Sequence, residues 1–249
     1  MNSEKIEIGM DGCRGGWLAV MWSDRGFLDA RILRDRSSLI AILTDSARTF
    51  IDIPIGLPDS EASRDCDREA TPQEYRQLRK ILGRSFSSSV FNPPIRSAIC
   101  ASSYSEASAI NAAKTGKKLS IQAWNIVPKI REIDELLLKV PTLHDRCFES
   151  HPELLFYHLN SQHPLNFKKK TREGKQERLE LLQSQIPEIQ VHFAAIRDRH
   201  LKKDASDDDI LDAMVLAYFA HRSLTASLHS IPNPPNYDQK GLRMAIHWC

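Results

Sequence analysis

The chain runs to 249 residues, long enough for a sizeable core in one or two domains. Its 34 Lys and Arg nearly balance its 32 Asp and Glu, so charge alone neither announces nor excludes a nucleic-acid partner. No apolar run approaches the ~18 residues of a membrane span, the opening MNSEKIEIG lacks a signal-peptide pattern, and the five scattered cysteines form no C-x-x-C, so a soluble, cytoplasmic protein without a zinc site or disulfide framework is expected.

The first third reads as β-β-β-α-β. Lys5 to Asp11 alternates Ile6, Ile8 and Met10 with Glu7, Gly9 and Asp11, the period of a strand. Gly15-Gly16 turns the chain into a second strand, Trp17 to Trp22, and Asp24-Arg25-Gly26 into a third, Phe27 to Leu33. Ser37 to Ser46 suits a helix, and Thr49 to Ile53 a short buried strand ended by Pro54. The middle is mostly helical. Thr71-Pro72-Gln73-Glu74 is a capping box that starts a helix running to Gly83. Ser87 to Ser97 is a loop, Ser105 to Lys114 a helix closed by Gly116, and Ser120 to Leu138 a helix bent at Pro128. A strand from Arg146 to Glu149 opens the last third. The basic stretch Lys168, Lys169, Lys170, Arg172, Lys175 reads first as a solvated loop and second as a phosphate-binding surface. Helices cover Gln176 to Ser184 and Glu188 to His200, a third is capped by Ser206, and the proline-rich tail is a loop with a late strand. With no internal repeat or clear linker, residues 1–249 read as one domain carrying a helical insertion over residues 58–141.

Asp212 is the residue that does not fit. From Ile210 to Ala220 nearly every position is apolar, and a carboxylate there is costly unless something pairs with it. Asp11, Asp52 and Glu149 are similarly placed, at strand ends or in apolar surroundings. If strands 1 and 4 are parallel neighbours ~5 Å apart, Asp11 and Asp52 adjoin. Asp209 and Asp212, three apart on one helix face, can then complete the cluster. Converging carboxylates are the usual holders of Mg²⁺ or Mn²⁺, and two such ions ~3.5–4 Å apart support phosphodiester cleavage. Plainer readings stand beside this one. Asp207 and Asp208 suit the first turn of a helix, Asp11-Gly12 a turn, and Asp52 a buried structural acid. His151 and Glu153 suit a helix cap around Pro152. The basic residues from Arg64 to Arg84 suit a solvated helical face.

Six motifs in order, GMDGCRGGW, IDIPIGLP, LGRSFSSSVFNPP, PKIREID, ESHPE and DDILDA, followed by GLRMAIHW, resemble a bacterial and archaeal family described as predicted RNase H-like nucleases. The resemblance spans roughly Ile8 to Trp248. It implies an RNase H-like α/β fold, a five-stranded mixed sheet of order 3-2-1-4-5 flanked by helices. It also implies a metal-dependent catalytic set of Asp11, Asp52, Glu149, Asp209 and Asp212, distantly like that of RuvC-type Holliday-junction resolvases. Asp52 stands where resolvases carry a glutamate, and the shorter side chain could shift or loosen an ion. The insertion has no counterpart in minimal RNase H domains and suits a substrate lid or a homodimer surface.

The leading expectation is a nuclease in which Asp11, Asp52 and Asp212 hold Mg²⁺ or Mn²⁺, with Arg14, Arg84 and Lys129 touching nucleic-acid phosphates. Two others compete with it. One is a non-catalytic nucleic-acid-binding or scaffold protein that kept the fold. The other is a nucleotide-binding phosphotransferase of the actin and sugar-kinase group, with Asp11-Gly12 and Gly15-Gly16 cradling a phosphate.

Overall fold

The computed structural model describes residues 6–58, 79, 81–83, 86, 90 and 93–249. Strands β1 (Ile6–Cys13), β2 (Gly16–Ser23), β3 (Gly26–Leu33), β4 (Ser46–Ile51) and β5 (Cys147–Glu149) form one sheet of order β3-β2-β1-β4-β5. The two hairpins are antiparallel; β1–β4 and β4–β5 are parallel. This is the α/β, mixed-sheet architecture expected from the sequence. The expected capping box at Thr71 lies outside the described residues, as does Arg84.

Helices cover both faces. Helix α1 (Arg36–Asp45), capped by Asp35, crosses from β3 to β4. Within the insertion follow α2 (Arg96–Ile99), α3 (Tyr104–Thr115) and α4 (Ile121–Lys139), the last running through Pro128. Then come α5 (Pro152–Leu159), α6 (Arg172–Gln183), α7 (Ile189–Arg199) and α8 (Asp207–Arg222). Ile8, Met10, Trp17, Ala19 and Ile51 on one sheet face share a core with α1 and α4. Leu18, Val20, Phe50 and Phe148 on the other pack against α5 to α8. The insertion therefore supplies part of the main core rather than a separate body. Among the described residues no helix is long and apolar enough to cross a membrane.

The tail differs from expectation. Instead of a proline loop, β6 (His229–Tyr237) pairs antiparallel with β7 (Arg243–Trp248). Pro232, Pro234 and Pro235 lack an amide hydrogen and cannot donate to a ladder. The chain accommodates them by a register shift: pairing stops at Ile231 and resumes at Asn236.

Helix α8 and β1 run side by side with matched positions. Ile8 and Met10 point to the α4 side, so Glu7, Gly9 and Asp11 face α8. His221 Nδ1 lies 2.9 Å from Glu7 Oε2. A Cβ at Gly9 would sit 2.1 Å from both the Ala213 carbonyl oxygen and the Ala217 nitrogen, so the two backbones touch. Continuing the same direction brings Asp11 to Asp209 and Asp212, at the start of α8.

Candidate functional site

The carboxyl ends of parallel strands gather the acids, as is usual for sites in open α/β sheets. Asp11 lies within β1 rather than at its end, and Asp52 lies just beyond β4 rather than inside it. The Asp52 amide donates to the Met10 carbonyl at 3.0 Å, extending the β1–β4 ladder by one bond and holding Asp52 beside Asp11. Asp212 is 1% exposed, one turn into α8. Ser206 caps that helix, and Asp209 returns the bond by accepting from the Ser206 amide at 2.7 Å.

These charges act on one another. Burial, then the charges of Asp52 and Asp212, push the Asp11 carboxyl well above the ordinary carboxylate range. Burial and Asp212 raise Asp52 to about 6, with His151 and Lys169 acting in the opposite direction. Like charges drawn together behave this way when no cation fully compensates them.

The nearest compensation is Lys169, whose Nζ lies 2.7 Å from Asp212 Oδ2. Asp212, foremost, raises the Lys169 ammonium far above the ordinary lysine value. Asp212 Oδ1, by contrast, is buried and has no hydrogen-bond partner among the described residues. A cleft of about 460 Å³ opens here, lined by Asp52, Glu149, His151, Glu153, Lys169 and Asp212 among others.

The other expected residues divide. Glu149 lies level with Ile51, on the side turned toward α4, and its Oε2 accepts from the Ile55 amide at 2.7 Å. Lys129 donates to the Gly16 carbonyl and sits 4.5 Å from the Trp17 ring centroid, which commits it to the β1–β2 turn while its charge still reaches Asp11 and Asp209. Arg14 is exposed on that turn. Two site residues escaped the sequence reading. Lys169 was one lysine in a basic run, and nothing in the run singles it out. Glu153, read as a helix cap, instead accepts at both carboxylate oxygens, 2.8 Å each, from the buried Arg178 Nη2, and contributes to raising Asp52.

Hard carboxylate oxygens, mutual repulsion and an orphaned buried oxygen on Asp212 fit a divalent cation. As they stand, no group of three or more His, Cys, Asp or Glu side chains among the described residues is drawn together closely enough to hold one. No curated protein and no solved structure matches the chain. The family model for a protein of unknown function, DUF429, matches residues 9–237, nearly the whole chain from β1 to the end of β6, and the chain belongs to that family.

Proposed function

We propose that the protein is a metal-dependent nuclease of RNase H-like type, hydrolysing phosphodiester bonds of DNA or RNA in the cytoplasm. The observation that carries this reading is the mutual influence of Asp11, Asp52 and Asp212, brought together from β1, the end of β4 and α8 beside an open cleft. These three side chains would hold the ion. When bound, Mg²⁺ or Mn²⁺ supplies activation of water and neutralisation of charge at the phosphate. Lys169 offers a further positive charge beside Asp212, and Arg14 is a candidate contact to backbone phosphates. The free thiols of Cys13, Cys100, Cys147 and Cys249 suit a reducing compartment.

The test is thermal unfolding of wild type and Asp212→Asn in EDTA and then in Mn²⁺. An ion that binds the native state stabilises it by ~2.7 kcal/mol at 100 times Kd. Mn²⁺ should raise the midpoint of wild type and leave Asp212→Asn unmoved, and cleavage of DNA or RNA should follow the same pattern. A wild type indifferent to Mn²⁺ and Mg²⁺ sinks the reading. One observation favours a second reading, a fold retained for binding alone: the Lys169–Asp212 pair already neutralises part of the cluster. Cleavage assays separate the two.

A further inference from the structure

The loop that carries Lys169 is braced at several points. The Asn166 amide and side chain and the Phe167 amide all donate to the Glu177 carboxylate, at 2.8, 2.9 and 3.1 Å. The carbonyls of Phe167 and Gly174 accept from Arg178, which is fully buried and clamped to Glu153. The Lys168 carbonyl accepts from both the amide and the hydroxyl of Thr171. A Cβ at Gly174 would lie 2.0 Å from that same carbonyl, so the loop rests on α6 with no room between them. A rigid loop thus delivers one ammonium to a carboxylate that is almost wholly buried.

Resting on the metal reading above, we propose that Lys169 takes the place of a second divalent ion, so that the site binds one ion per chain. Charge favours this arrangement. With an ion bound, Asp11, Asp52 and Asp212 would be ionised, and their three negative charges less the one positive charge of Lys169 leave the two that a single divalent ion neutralises. Of the other acids nearby, Glu153 is paired with Arg178, Glu149 accepts from the Ile55 amide and Asp209 from the Ser206 amide. Two divalent ions together with the ammonium would leave the three carboxylates two positive charges in excess, in surroundings where repulsion is weakly screened. Geometry agrees. Asp212 Oδ2 is taken by the ammonium, and Oδ1 is the oxygen left to an ion. A second ion ~3.5–4 Å from the first would compete with Lys169 for the same carboxylates.

Mn²⁺ titration of the full chain, by calorimetry and by electron paramagnetic resonance, tests this. Wild type and Lys169→Arg should bind one Mn²⁺ per chain and give the spectrum of an isolated ion. Lys169→Met, which keeps the stem and removes the charge, should bind two and give an exchange-coupled spectrum. Two ions in wild type, or one in Lys169→Met, overturns the role given to Lys169 and leaves the metal reading standing. No ion in either protein overturns both. If the Met variant fails to fold, Lys169→Gln gives the same comparison, and two ions in wild type overturn the proposal without either variant.

Discussion

Gly9→Ala is the sharpest test of how the fold builds the site. The new methyl carbon would lie 2.1 Å from the Ala213 oxygen and the Ala217 nitrogen and 2.7 Å from the Leu216 carbonyl carbon. Ordinary contact begins at 3.4 Å, so the deficit is 1.3 Å, and all three atoms are backbone. No side chain can turn aside. Either α8 lifts from β1 or β1 bends, and α8 buries Ile210, Leu211, Met214, Val215, Leu216 and Phe219. Overpacking costs ~1–3 kcal/mol, more when backbone must move, so the loss should be at least ~3 kcal/mol. For a chain of this length that corresponds to a fall of ~6–12 °C in Tm. The comparator is Gly116→Ala. Gly116 has φ +71° and open space around its missing Cβ, so only the left-handed backbone is penalised, by ~1 kcal/mol. Urea unfolding of the three proteins gives the comparison. Displacing α8 also displaces Asp212, so Gly9→Ala should weaken any Mn²⁺ response. If Gly9→Ala loses no more stability than Gly116→Ala, the strand–helix contact does not position the site as argued.

Arg178→Met should cost about 3–5 kcal/mol, because it leaves Glu153 buried without its partner and frees the Phe167 and Gly174 carbonyls. The double change Glu153→Leu with Arg178→Leu should cost much less, and equal losses in urea unfolding would contradict this account. His158 gives a pH signature. Burial, with the charges of His229 and Arg222, pushes it down to about 4, so the ring stays neutral in the fold while the unfolded chain protonates near ~6.5. Its contribution is fully present above ~6.5 and is lost as pH falls toward about 4. Because the ring is partly solvated, that loss is about 1–2 kcal/mol. His158→Phe should be less acid-sensitive than wild type across this window, and parallel pH profiles would refute the assignment.

The strands β1 to β4 and their hairpins were legible because their signals are local, glycine turns and period-2 runs; the order β3-β2-β1-β4-β5 followed only from the resemblance to the RNase H-like family. The β1 pattern was legible only in part. Alternation of Ile6, Ile8, Met10 with Glu7, Gly9, Asp11 states that two faces differ, but not that both are covered. Gly9 looks like a weak strand position until a helix backbone is laid against it. Of the β6–β7 hairpin the late strand was foreseen and β6 was missed, because its prolines oppose a ladder and the ladder skips them. Lys169 was hidden for a different reason. Its partner lies 43 residues away, and its placement depends on Glu177, Arg178 and Gly174, none of which marks a site in the sequence.

Asp212 gathers these levels into one position. A carboxylate on an apolar helix is a conflict that a stable fold retains only if something near it is positive. The helix approaches closely because Gly9 has no side chain, and Asp52 stands beside Asp11 because its amide adds one more bond to the parallel ladder. Charge is therefore concentrated by backbone packing, and backbone packing does not relax to relieve it. Lys169 answers one oxygen of Asp212, and the other has no partner among the described residues. If the acids were purely structural, the cheapest resolution would be to satisfy both oxygens of Asp212 or to replace it with a neutral residue. A half-answered carboxylate beside an open cleft is instead the arrangement expected where one more cation is to be received.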